Sequence, residues 1–418
     1  MTREMKNSGV EWIGDIPCEW KIVKVKSIFN IGRGRVIAKT ELEDSGYPIY
    51  SSQTKNNGIL GYIGTYDYDV DQLTWTTDGA NAGTVFLRTG KYNCTNVCGT
   101  LALKNNLNCL LYMKYALEYI AIFHKRPDTN GYKIMNNEMA DIKVTAPPLP
   151  EQKRIADFLD IKVTEIDKII SDTKASIENY KEYKQSVITE AVTKGLDKNV
   201  PMKDSGVEWI GGIPVDWRLG KIKSCVTKVG SGKTPKGGGD VYSSEGVLFL
   251  RSQNVYDTGL VLDDPTYISE EIDEEMKNTR VMDKDVLLNI TGGSIGRCCI
   301  YDKSYGKANV NQHVSIIRLK QDIMFPEYMH YYWLSSLGKM SVNLYQTGGN
   351  REGMSADAIK NSPIIYTSIS TQKEIIAFLD SKCAEIDNII LEKEKLITNL
   401  EEYKKSLIYE YVTGKKVV

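Results

Sequence analysis

Apolar residues recur at alternating spacings of four and three along two stretches of the chain. The first stretch picks out Leu159, Val163, Ile166, Ile170, Thr173, Ile177, Tyr180, Lys184, Val187 and Ala191. The second picks out Leu379, Cys383, Ile386, Ile390, Lys393, Ile397, Leu400, Lys404, Leu407 and Tyr411. Each is a heptad seam with two polar interruptions, the mark of a long helix that packs along its length on another helix. Pro150 suits the start of the first helix and Gly195 its end. In the second, Thr371 followed by Glu374 reads as a capping box. About 44 residues at 1.5 Å each makes a rod of roughly 65 Å. Each seam's economical partner is the other, packed antiparallel. Between these stretches the pattern changes. Short apolar runs such as YPIY, GVLFL and SIIRL alternate with segments rich in Gly, Asn, Thr and Tyr, which favours short strands and turns. LLYMKYALEYIAIF from Leu110 and PEYMHYYWLSSLGKM from Pro326 each read as one helix. The fold class is therefore α+β: two tandem α+β domains joined by two long helices packed as an antiparallel coiled coil.

The chain is one unit written twice. KNSGVEWIGDIPCEW from Lys6 returns as KDSGVEWIGGIPVDW from Lys203, and QKRIADFLDIKVTEIDKII from Gln152 returns as QKEIIAFLDSKCAEIDNII from Gln372. Between them, FNIGRGRV (Phe29) matches TKVGSGKT (Thr227), IYSSQ (Ile49) matches FLRSQ (Phe249), DGANAG (Asp78) matches TGGSIG (Thr291), and KYNCTNVCGTLALK (Lys91) matches KANVNQHVSIIRLK (Lys307). The spacing only grows along the chain, as expected for a duplication whose second copy gained loop insertions. Domains are expected at 1–150 (first body with lead-in), 151–195 (first helix), 196–371 (linker, second lead-in and second body) and 372–418 (second helix and tail). Trp12 and Trp20, with Trp209 and Trp217, are expected to anchor each lead-in where body meets helix.

Composition excludes several classes. The 418 residues carry a formal net charge of −1, so any polyanion-binding groups must be placed locally. No apolar run reaches the length of a membrane span, and the first residues lack an apolar signal segment; a cytoplasmic location without membrane contact is expected. The eight cysteines form no C-x-x-C pair and do not read as a disulfide framework or a zinc site. Three histidines, His124, His313 and His330, leave little for general-base chemistry. GSGKT from Gly230 lacks the opening glycine of a phosphate-binding P-loop, since Thr227 stands there. No G-x-S-x-G, H-E-x-x-H or N-P-P-[YF] stretch is present. The expectation is a two-headed binding scaffold, not an enzyme.

The W-I-G-x-I-P-x-x-W lead-ins (Trp12–Trp20, Trp209–Trp217), PPLPEQKRIADFLD from Pro147 and its echo TQKEIIAFLD from Thr371 resemble the specificity subunit of type I restriction–modification systems, over essentially the whole chain. The second copy departs from the pattern, with TSISTQ where the first has PPLPEQ. The resemblance implies a non-catalytic subunit whose two bodies are target recognition domains, each reading one half of a split double-stranded DNA sequence. The helices would set half-site spacing and dock two methyltransferase (modification) subunits. Those subunits would carry S-adenosylmethionine, so this chain holds no cofactor or metal. Motor and nuclease restriction subunits would complete the complex.

Arg and Lys suit guanine edges, and Asn and Gln suit adenine. Such residues in matched loops of the two bodies are the candidate DNA contacts: Arg33 and Arg35 with Lys233 and Lys236; Ser52 and Gln53 with Arg251, Ser252 and Gln253; Asp78 and Asn81 with Thr291, Ser294 and Arg297; and Arg126, Asn130 and Lys133 with Asn350 and Arg351. Gly32 and Gly34, matching Gly230 and Gly232, are expected to let the backbone approach a phosphate. The alternative is a duplicated coiled-coil adaptor that binds proteins and not DNA.

Overall fold

The computed structural model describes residues 3–129, 131–346 and 353–418. The chain forms two compact units, Met1–Lys174 with Glu394–Val418, and Ala175–Lys393. Five helices organise them: α1 Leu110–Ile120, α2 Leu149–Lys194, α3 Pro326–Leu334, α4 Ser336–Tyr345 and α5 Ile369–Val412.

The first body contains β1 Phe29–Arg33, β2 Tyr47–Tyr50, β3 Ile59–Ile63, β4 Gln72–Thr76, β5 Val85–Arg88, β6 Lys91–Cys94 and β7 Cys98–Leu103. Its main sheet is antiparallel, in the order β1-β7-β4-β5. A second sheet pairs β2 parallel to β6 and antiparallel to β3. Side chains alternate across a strand, and in β4 this sorts chemistry by face. Leu73 and Trp75 join the core that includes Tyr112, Met113 and Ala116 of α1, while the Thr74 hydroxyl accepts a bond of 3.1 Å from the Nε of the buried Arg88.

The second body repeats the plan with β8 Val226–Ser231, β9 Val247–Leu250, β10 Tyr267–Ile268, β11 Val286–Asn289, β12 Cys298–Ile300, β13 Ala308–Val310 and β14 Val314–Leu319. The main sheet runs β8-β14-β11-β12, and β9 lies parallel to β13 and antiparallel to β10. Helix α3 takes the place of α1, and α4 is an addition of this copy. The common plan explains why weak central matches stay collinear: seven strands keep their order while the loops change length.

The long helices pack antiparallel along the expected seam. All seam residues named above are buried or half-buried. In the first unit Lys404 Nζ lies 2.8 Å from Asp167; in the second Lys184 Nζ lies 2.7 Å from Asp387. These two lysines are polar interruptions of the seam, and each meets an aspartate of the opposite helix. Lys393 lies over the Tyr180 ring at 5.6 Å, and the Thr173 hydroxyl turns back to the Ile169 carbonyl at 2.7 Å.

The helix starts share one device. The buried Gln152 side chain donates to Pro147 O (2.8 Å) and accepts from Cys109 N (2.8 Å). Gln372 donates to Thr367 O (2.9 Å) and accepts from Phe325 N (3.1 Å). The capping residue of α5 is Ser368, whose hydroxyl accepts from Thr371 N at 3.2 Å. The expected cap at Thr371 is therefore three residues late, because the helix already begins at Ile369. Both helices end at glycines of positive φ, Gly195 (+78°) and Gly414 (+75°). Trp217 packs on Gly195 and Trp20 on Gly414, and the Trp20 indole donates to Glu151 at 3.0 Å. Each lead-in is anchored at a helix end, as its tryptophans suggest.

Candidate nucleic-acid interface

In both bodies the backbone gathers four loops around one turn. In the first body, Gly34 N and Arg35 N, just past β1, donate to Cys98 O and Cys94 O, both at 3.0 Å. Thr95 N donates to Tyr50 O (2.9 Å), which brings in the loop after β2, and Thr77 N donates to Val97 O (3.0 Å), which brings in the loop after β4. Ile134 N then donates to Thr77 O (3.0 Å), so the segment ahead of α2 returns to the same place. The second body repeats every bond. Gly232 N donates to Val314 O (3.1 Å), Lys233 N to Val310 O (3.2 Å), Asn311 N to Leu250 O (2.9 Å), Ile290 N to His313 O (3.0 Å) and Met354 N to Ile290 O (2.9 Å). The first three matched loop sets read from sequence thus share one end of each body, around Thr95–Val97 and Asn311–His313, and Lys133 of the fourth set joins them in the first body.

The glycines of the first loop serve the protein itself. A Cβ on Gly34 would lie 2.2 Å from Cys94 O, and one on Gly232 would lie 1.8 Å from Val310 O. Both are required where the strand crosses the neighbouring turn, a structural demand beside the expected approach to a phosphate.

Side chains differ between the bodies. In the first, the candidate cations are held by acids. The Arg33 guanidinium sits 3.8 Å from Asp78 and donates through Nε to Asn96 O. Lys133 lies 3.6 Å from Asp78 and 2.9 Å from Asp128. Its hydrogen bond to Asp128 raises its pKa and lowers that of the aspartate. Arg35 bonds Asp67 at 2.9 Å and approaches Glu41 at 3.4 Å; the bond to Asp67 holds its pKa above the ordinary arginine value. Arg126 pairs with Glu138 at 2.8 Å. Arg33, Asp78 and Lys133 form one cluster, and Arg35 and Arg126 stand in separate pairs. Gln53 donates to Ile59 O, Ser52 is half-buried, and Asn81 is exposed. Burial lowers the pKa of Arg88, which stacks on Tyr50 at 3.6 Å and donates to Asn57 O at 2.8 Å.

In the second body Lys233 and Lys236 are exposed and have no ion-pair partner among the described residues. Arg251 donates to the Thr266 hydroxyl at 2.6 Å. The Ser252 carbonyl accepts from Asn289 at 2.8 Å, and Gln253 is exposed. Thr291 bonds His313 Nδ1 at 2.6 Å. The half-buried Ser294 accepts Arg297 N on its carbonyl at 3.1 Å. Arg297 lies over the Tyr256 ring at 4.8 Å, beside a cavity of about 320 Å³ that Trp333 also lines. Asn130, Asn350 and Arg351 lie outside the described residues.

The turn at the centre was missed in the sequence. It carries Asn96 in the first body and Gln312 and His313 in the second. The available signal was the polar pair inside the aligned KYNCTNV and KANVNQHV stretches, between two apolar strands.

The profile of the type I restriction modification DNA specificity domain matches residues 17–179 and 214–402, one match per copy of the repeat. The chain belongs to this family. Its members are DNA specificity subunits of type I restriction–modification systems and are not catalytic, in keeping with the missing catalytic motifs. The type I restriction enzyme MjaVIII specificity subunit of Methanocaldococcus jannaschii is 27% identical over 418 aligned residues, 96% of this chain and 93% of that protein. A putative type I specificity subunit of Mycoplasma pneumoniae, S.MpnORF289P N-terminus, is 40% identical over 147 residues, 34% of this chain and 76% of the relative. The match to S.MpnORF507P of the same organism, 38% identical, covers only 38% of that relative. A solved chain, described as the structural basis of complex assembly and conformational transition of the type I R-M system, superposes with TM-score 0.72. It covers 96% of this chain and 99% of that one at 13% identity, a likeness of fold. Among the described residues no helix is long and apolar enough to cross a membrane.

Proposed function

We propose that each body reads one half of a split double-stranded DNA target through its four-loop end. The recognition domains are 1–150 and 196–371; the spacer helices are 151–195 and 372–418. The helices fix the distance between half-sites and dock two methyltransferase subunits, which bind S-adenosylmethionine. Motor and nuclease subunits join them in the cytoplasm. The observation that carries this reading is the repeated backbone frame around Thr95–Val97 and Asn311–His313, fitted with different side chains in each copy. A shared frame with unlike polar groups suits two readers of unlike sequences, because side-chain contacts to base edges carry the sequence information. Three of the loop sets that supply the candidate contacts meet on that frame in both bodies, and Lys133 joins them in the first. Methylome sequencing of cells with and without this chain is the test. A split motif methylated only in its presence is expected; an unchanged methylation pattern on deletion overturns the reading in favour of an adaptor that binds proteins alone.

A further inference from the structure

The turn between β13 and β14 holds a side-chain relay that joins three loops. Thr234, from the loop after β8, donates its hydroxyl to Gln312 Oε1. Gln312 Nε2 lies 3.1 Å from His313 Nε2, and His313 Nδ1 lies 2.6 Å from the Thr291 hydroxyl. An amide nitrogen has no lone pair to offer, so Gln312 donates and His313 Nε2 accepts. His313 then carries its proton on Nδ1 and donates to Thr291. The relay fixes which way the Gln312 amide faces. It occupies one of the two amide N–H groups and one of the two lone pairs on Oε1.

What remains on the exposed Gln312 side chain is one donor and one acceptor on adjoining atoms. Adenine offers the complement in the major groove: N7 accepts and the N6 amino group donates. An oriented amide is worth more than a mobile one, because its rotamer entropy is already lost before the complex forms. In the first body the same turn position is Asn96, also exposed and also an amide. Its backbone carbonyl takes the Nε–H of Arg33. Two bodies with different surrounding loops thus present an amide at the same point of the frame.

We propose that Gln312 and Asn96 are base-reading residues, each contacting an adenine of its own half-site, with Thr234 and His313 as positioning residues for Gln312. This rests on the DNA-reading function proposed above and goes further by naming the base and the atoms that read it. The test uses the assembled methyltransferase complex and duplexes that differ from its methylated motif by one base pair at a time. Gln312→Ala should reduce discrimination at a single A·T position of one half-site by about 5- to 150-fold, and Asn96→Ala at a single position of the other. His313→Ala should weaken the same position as Gln312→Ala, a readout that a merely structural role would spread over the half-site. Gln312→Glu, which can only accept, should turn that position towards C·G, whose cytosine N4 donates. Discrimination left unchanged at every position, or lost evenly across the motif, overturns the inference while the recognition function stands. A wild-type complex that binds no split duplex removes both.

Discussion

At the scale of single residues, two glycines separate a structural requirement from a functional one. Gly34 and Gly232 occupy the same place in the two bodies, and a Cβ on either would overlap a backbone carbonyl of the neighbouring turn. That carbonyl belongs to a parallel strand pair and has no room to retreat. Gly230, two residues earlier in β8, has nothing within 4 Å of its would-be Cβ. Gly232→Ala and Gly34→Ala are therefore expected to cost at least about 2 kcal/mol as overpacking against rigid backbone, and Gly230→Ala to be neutral or to stabilise by up to about 1 kcal/mol. Urea unfolding of the full chain checks this. Equal midpoints for the Gly230 and Gly232 variants would show that the crossing is soft. The glycine-rich look of GRGR and GSGK suggested a phosphate cradle in the sequence. Gly34 and Gly232 also permit a close approach to the protein's own chain, and the carbonyl involved lies dozens of residues away, where no local pattern reveals it.

At the scale of elements, the long helices were the most legible part, because a heptad seam is a local and repeated signal. Even Lys184 and Lys404, read only as interruptions, stand where an antiparallel partner supplies Asp387 and Asp167. The helix starts were less legible. Thr371 and Glu374 satisfy a local capping pattern, yet Ser368 does the capping. The device that holds each start is a buried glutamine whose partners come from the residue two places ahead of the helix and from the loop ahead of α1 or α3. In Gln152→Ala, the buried Pro147 O and the half-buried Cys109 N lose their partner; in Gln372→Ala, the buried Thr367 O and the half-buried Phe325 N do. Each unpaired group costs about 1–3 kcal/mol, so either variant should lose about 2–5 kcal/mol and loosen the helix against its own body. Hydrogen exchange at the first turn of α2 and α5 is the check. Protection unchanged from wild type would mean that the seam alone holds the helix start.

At the scale of the whole molecule, the repeat set the places of the loop sets, and the backbone frame brings three of those places together in each unit. Pairing partners were illegible because Asp67, Glu41 and Glu138 sit in stretches that carry no repeat signal. The central turn is illegible because it carries no glycine and lies between two apolar strands. The outcome is an electrostatic asymmetry. A chain of net charge −1 has no general attraction for DNA, so its phosphate grip must come from a few placed cations. In the first body the described candidate cations already face carboxylates, whereas Lys233 and Lys236 in the second face none among the described residues. A cation that leaves an internal acid for a phosphate exchanges one partner for another and gains little, while an unpaired lysine gains the full contact. Each phosphate neutralised contributes about 0.9 to the slope of log affinity against log salt on duplex DNA. Lys233→Ala and Lys236→Ala are therefore each expected to lower the slope of the assembled complex by about 0.9 without changing the motif read. Arg35→Ala, whose side chain is already engaged by Asp67 and Glu41, should lower it by less. Titrations of the complex onto its target duplex at several salt concentrations measure this directly. A larger slope change from Arg35 than from either lysine would show that the ion pairs of the first body open on binding, and that the two bodies grip the DNA alike.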